Sequence, residues 1–144
     1  MGLLREARVS GALLGDECDE YLTRFATKRD AFVGEGERLL PADGEAPVRR
    51  FASKADVAEM LRRASALVGK LRPASDAVGD SHDGAGHARE VLVRLERHVE
   101  AIAEVAARQR TYQDAFRGAT SARQQAEVLD RAIEEGIRFY NEPD

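Results

Sequence analysis

The sequence predicts an all-α fold, an elongated antiparallel bundle of about four helices forming a coiled-coil-like arm, and three observations predict it. Apolar residues recur at three- and four-residue steps almost throughout. Alanine is abundant while β-branched residues are sparse. No stretch alternates apolar and polar residues for long, as a half-buried strand would. The 144 residues fit one helical domain, and with 43% of them hydrophobic they can bury a core without disulfides or metals.

In the first segment Leu14, Cys18, Tyr21, Leu22, Phe25 and Phe32 share one helical face, which predicts a helix over about 3–33. Gly11 and Gly15 weaken its start, and Gly34 with Gly36 is expected to end it through left-handed backbone angles. Residues 34–52 read as a crossing loop punctuated by Pro41, Gly44 and Pro47. Its length is unusual for a compact domain, so Leu39, Leu40, Val48 and Phe51 are expected to pin it down.

Ser53 suits an N-cap, with Asp56 in the first turn. Val57, Met60, Leu61, Ala64, Leu67, Val68 and Leu71 then form the cleanest stripe in the chain. Pro73 either stops this helix at about 72 or kinks it on the way to Val78. Residues 79–86 form a short Gly-rich join. A third helix follows over about 87–117, roughly 45 Å long at 1.5 Å per residue. Gly118 ends it, Thr120 or Ser121 caps a fourth helix over about 121–141, and Pro143 stops that one.

Composition excludes several functions. Twenty-two basic against 26 acidic residues give a net charge of −4, which argues against a nucleic-acid binder. One cysteine, Cys18, allows no internal disulfide, and it sits in a core stripe where a thiol is inert. His82, Asp83 and His87 flank a flexible turn and do not make a rigid metal site, while His98 reads as a boundary residue. No paired carboxylates, phosphate loop or nucleophile arrangement is present, so the expectation is no enzyme, no cofactor and no metal. Apolar runs of four or five residues cannot span a bilayer, and nothing at the start reads as a signal peptide. The interleaved charges of the third and fourth helices, such as Arg94, Glu96, Arg97 and Glu100, read as a solvated face.

The C-terminal helix carries one unusual feature. Ala122, Ala126, Leu129, Ile133, Ile137 and Tyr140 make its main stripe. At 100° per residue, Phe139 falls about 120° away from Ile133, on a second strip with Val128 and Ala132. That strip is either packed by another helix or forms the exposed lip of a peptide groove.

The run Glu134-Glu135-Gly136-Ile137-Arg138-Phe139-Tyr140-Asn141-Glu142 resembles the E-G-x-K/R-F-Y-N segment of the V domain in the ALIX/Bro1 family. Cys18 to Tyr21, Lys28 to Asp30, the Leu39-Leu40-Pro41-Ala42 crossing and the helices over 57–71 and 91–116 agree in order and character. Only residues 134–142 are specific. The resemblance implies one arm of a V domain, trimmed or reduced, since a full V domain is more than twice this length. It departs from the family at Pro73, at the short 79–86 join and at the early stop after the Phe-Tyr-Asn run.

What the resemblance implies is a peptide-binding adaptor for tyrosine/proline late motifs of the Y-P-x-n-L type, in endosomal sorting and ESCRT-linked budding. Its partners would be short linear motifs of trafficking or viral proteins, and ubiquitin, which the family's V domain also binds. Phe139 matches the family's pocket phenylalanine, and Met60 and Leu71 match two apolar pocket positions. With Val128, Ala132, Gly136 and Tyr140 they make the expected peptide site. A cytoplasmic address, peripheral to endosomes, and a monomer or weak dimer complete the expectation, with no membrane insertion. Burying a ligand tyrosine and leucine is worth ~3–6 kcal/mol gross, so affinity would be micromolar or weaker. The rival expectation is a structural or self-associating bundle in which Phe139 is core.

Overall fold

The computed structural model describes residues 13–42, 48, 51–80 and 83–140, with side chains described from residue 20 onward. Four helices account for nearly all of them: α1 (Leu13–Leu39), α2 (Lys54–Val78), α3 (Ala85–Gly118) and α4 (Ala122–Glu135). The fold is all-α, and there is no strand among the described residues. The expected helical start near residue 3, Gly11, the side chain of Cys18, His82 and Pro143 lie outside what is described.

Helix α1 does not stop at the glycines. It runs through Gly34 and Gly36 to Leu39, so residues 34–39 belong to a helix and not to the crossing loop. Glycine permits a left-handed angle without requiring one. The positive-φ glycines among the described residues are Gly79, Gly84 and Gly136. The helix instead carries its glycines, at roughly 1 kcal/mol each relative to alanine, into a segment where Val33 is buried and Leu39 packs on a core.

Helix α2 starts as its cap predicts: the Asp56 amide donates to Ser53 Oγ at 3.1 Å, and the Val57 amide to the Ser53 carbonyl at 2.9 Å. Pro73 lies inside it and the helix continues to Val78. The carbonyl that loses its donor there belongs to Gly69, an exposed residue that water can reach. Helix α4 starts at a Ser121 cap, whose Oγ accepts from the Gln124 amide at 3.2 Å.

Its end corrects the reading most. The chain leaves the helix at Gly136, which takes φ 75° and ψ 28°. The Ile137 amide then donates to the Ala132 carbonyl at 2.8 Å and the Gly136 amide to that of Ile133 at 3.0 Å. That pair of reversed bonds is a Schellman stop. Ile137, Phe139 and Tyr140 are therefore not helical, and the angular argument that placed Phe139 on a helical strip does not apply to them.

The chain divides into two compact units, each made of two stretches. The first comprises Met1–Arg38 and Leu67–Val93. It buries Ala26 and Val33 of α1, Leu67, Leu71, Ala74 and Val78 of α2, and Ala85, Ala88 and Val91 of α3. It also buries Arg29, which is 1% exposed. Arg29 donates from Nη2 to the Asp83 carbonyl at 2.6 Å and from Nε to Asp30 Oδ1 at 3.2 Å, while Nη1 is left without a hydrogen-bond partner. Gly84, at φ 90°, lets this guanidinium approach, since a Cβ there would lie 3.1 Å from Nη2. An exposed His87–Glu37 contact at 2.9 Å joins α3 to α1 in the same unit.

The second unit comprises Leu39–Ala66 and Arg94–Asp144. Val48, Val57, Ala64 and Ile102 form its central cluster, with Leu39, Ala52, Met60, Leu61, Val99, Val105 and Ala106 packed against them. Two of the loop residues expected to act as pins, Leu39 and Val48, thus do so. Phe51 does not bury: it sits at φ 60° and stays partly exposed.

Candidate functional site

The expected peptide-site residues fall in different places. Leu71 belongs to the first unit and is completely buried there. Met60, Val128, Ala132, Gly136, Phe139 and Tyr140 belong to the second. Met60 packs against the central cluster of that unit, so its side chain is core.

Phe139 is core as well, at 3% exposure. It stacks on Tyr112 at 6.0 Å between ring centres and meets Phe116 edge-on at 5.8 Å. The Schellman turn causes this: ending α4 at Gly136 sends the following residues back across α3, where Tyr112 and Phe116 stand four apart on one face. The exposed aromatic lip is thereby corrected, and the exposed ring is the next one. Tyr140 is 49% exposed and rests edge-on against Phe116 at 5.1 Å.

Helix α4 also turns differently from the expectation. Ala132 is buried and Gln125, Val128 and Leu129 are half-buried, so the inward face centres on the strip read as secondary. Ala122, Ala126 and Ile133 of the main stripe are exposed, Ile133 to 54%. Ion pairing explains part of this orientation, because Arg108 of α3 lies 3.4 Å from Glu135. Glu135 also accepts from the Tyr112 hydroxyl, and that bond pushes the phenol above its usual range, with burial adding to the shift.

A polar junction fixes the aromatic cluster. Buried Gln109 donates from Nε2 to the Ala52 carbonyl at 3.0 Å and to the Arg138 carbonyl at 2.9 Å. Beside it the Phe51 amide donates to the Gly136 carbonyl at 3.1 Å. One α3 side chain thus holds the segment before α2 and the segment after α4. Gln113, also buried, accepts from Lys54 one turn further along. Sequence reasoning passed over both glutamines, although they lie in phase with Ile102 and Ala106, where apolar residues are expected.

His98 is buried rather than at the boundary, and its Nδ1 has no hydrogen-bond partner. It shares a shallow pocket of about 290 Å³ with Leu40, Pro41, Arg94, Arg97 and Ala101. Burial pushes its imidazole below the ordinary range near 6.5, because the cation loses hydration. The folded form therefore binds its proton less readily than the unfolded form. Stability is fully present above the unfolded value and falls as pH drops through it toward the folded one. Urea unfolding followed from pH 8 down to pH 5 is expected to show a loss that His98→Asn reduces; equal pH slopes in the two proteins would overturn the assignment.

Among the described residues, no group of three metal-ligating side chains is assembled and no helix is long and apolar enough to cross a membrane. What the cluster presents to solvent is the aromatic ring of Tyr140, seated on Phe116. Compared with family models, with curated proteins and with solved structures, the chain finds no match in any of the three.

Proposed function

We propose that this chain is a peptide-binding adaptor module for tyrosine/proline late motifs of the Y-P-x-n-L type, acting in endosomal sorting and ESCRT-linked budding. It would work in the cytoplasm at the periphery of endosomes, with ubiquitin as a further partner. The observation that carries the reading is Tyr140: a half-exposed ring seated on Phe116, which buried Phe139 meets edge-on, within the segment that resembles the V domain of the ALIX/Bro1 family. A ligand proline keeps its segment extended before docking, and a ligand tyrosine or leucine gains by covering the open face of Tyr140. Phe139 then supports Phe116, on which Tyr140 rests.

A second reading, a structural bundle without a ligand, is favoured by the burial of Phe139, Ala132 and Leu71, three of the residues the peptide site was expected to use.

Titration of a fluorescent Y-P-x-n-L peptide into wild type and Tyr140→Ala, with circular dichroism on both, separates the two. The adaptor reading expects saturable micromolar binding that weakens by about tenfold, some 1.4 kcal/mol, in a still-folded variant. A folded wild type that does not bind leaves the structural reading.

A further inference from the structure

His98 of the second unit is 7% exposed, and neither of its ring nitrogens has a hydrogen-bond partner among the described residues. Nδ1 is fully enclosed. The ring also lines the pocket of about 290 Å³, so Nε2 is the nitrogen that can meet a ligand there. An N–H enclosed without an acceptor forfeits its hydration, whereas a proton on Nε2 can be shared with water or a ligand. The favoured neutral tautomer therefore carries its hydrogen on Nε2, which makes His98 a donor at the pocket.

Arg94 and Arg97 stand one turn apart on α3 and line the same pocket. Both are exposed, and neither makes an ion pair or a hydrogen bond among the described residues. Among those residues no carboxylate lines the pocket. Glu90 and Glu100, each about one turn from one of the arginines, are exposed, stand outside it and bond neither. Two like charges at this spacing repel, and a doubly negative ligand would relieve both. Leu40, Pro41 and Ala101 supply the apolar remainder of the lining.

We infer that this pocket binds a small phosphate monoester with a compact apolar body, its oxygens taking bonds from Arg94, Arg97 and His98 Nε2 and its body lying on Leu40, Pro41 and Ala101. A phosphate monoester brings three acceptor oxygens and close to two negative charges at neutral pH, which matches three donors and two guanidinium groups. A carboxylate brings one charge and two oxygens, and would leave one arginine unserved. The pocket sits at the lower end of the range for small-molecule sites, about 300–1,000 Å³, so a soluble ester with one ring or short chain suits it. The site does not rest on the peptide reading, which uses Tyr140.

Titration of phenyl phosphate into the isotope-labelled full chain at neutral pH tests this, read by the ring signals of His98 and the guanidinium signals of Arg94 and Arg97. Saturable shifts at all three are expected with a dissociation constant of about 1 mM or below, weakening at high salt. The ring of His87, which belongs to the first unit, should stay still. Benzoate, with the same ring and one charge, should bind about tenfold more weakly, as should inorganic phosphate, which lacks the body. Arg94→Gln and Arg97→Gln, both at exposed positions that leave the fold intact, should each cost about tenfold as well. No shift at His98 up to about 10 mM, binding that survives either arginine variant, benzoate binding as well as phenyl phosphate, or ring nitrogen shifts that put the hydrogen on Nδ1 would each overturn the inference. Co-sedimentation with phosphatidic acid vesicles that Arg97→Gln abolishes would place the ester in a membrane and overturn the soluble assignment.

Discussion

Phe139→Ala is expected to cost the second unit about 3–5 kcal/mol. The ring is buried between Tyr112 and Phe116, so its removal forfeits its transfer energy and leaves a cavity. Two aromatic contacts are lost besides, each worth about 0.5–1.5 kcal/mol beyond area. Collapse cannot refill the space cheaply, because the segment is held at two points just before the ring, by the Gly136 turn and the bond from Gln109 to Arg138. Urea denaturation should show the midpoint falling sharply. Phe139→Leu should lose markedly less. A cost below about 1 kcal/mol, in the range of exposed positions, would mean that the ring faces solvent and would restore it as a direct ligand contact. The same logic makes Phe139→Asp a poor probe of binding, since a carboxylate placed there unfolds the site it is meant to test.

Gln109→Ala is expected to cost about 1–3 kcal/mol, because a buried side chain that donates to two part-buried carbonyls is lost at once. The acceptors, Ala52 and Arg138, lie in segments that do not adjoin in the chain, so the loss is not confined to one turn. Gln109→Leu keeps most of the volume and still leaves both carbonyls unserved, so it should be nearly as damaging. The local readout is the Phe51 amide, which donates to the Gly136 carbonyl next to this junction. Its hydrogen exchange should quicken in either variant while amides in the middle of α1 stay protected. An unchanged Phe51 amide would show that the backbone bond holds the two segments without the glutamine.

Features written in one residue's own chemistry were legible in the sequence. Ser53 and Ser121 cap the helices they precede, since a hydroxyl beside an orphan amide needs no distant partner. Pro73 was readable as an interruption, and whether the helix survived it depended on exposure that sequence does not show. Gly136 carried the signal for a stop, yet Ile137 and Tyr140 kept the helical spacing and masked it. Gly34 and Gly36 sent the opposite message, and the packing of Val33 and Leu39 overrode it. The placement of Phe139 was beyond reach for a related reason. Once a chain leaves a helix, the angle between residues no longer says which face they share. The inward turn of α4 was hidden too, because its fixing contacts, Arg108 to Glu135 and Tyr112 to Glu135, come from another helix.

Neither compact unit is a continuous piece of chain. The membership changes at residues 38/39, 66/67 and 93/94, and the last two changes fall inside α2 and α3. On the ribosome the first unit has all its residues once Val93 has emerged, whereas the second must wait for Phe139 to cover Tyr112 and Phe116. During that interval Val57 and Met60 already exist without Ile102 and the rest of their cluster, which is the kind of surface that chaperones hold. A protease cut anywhere within α2 would likewise divide both units at once, because each draws one of its two stretches from part of that helix and the other from beyond it.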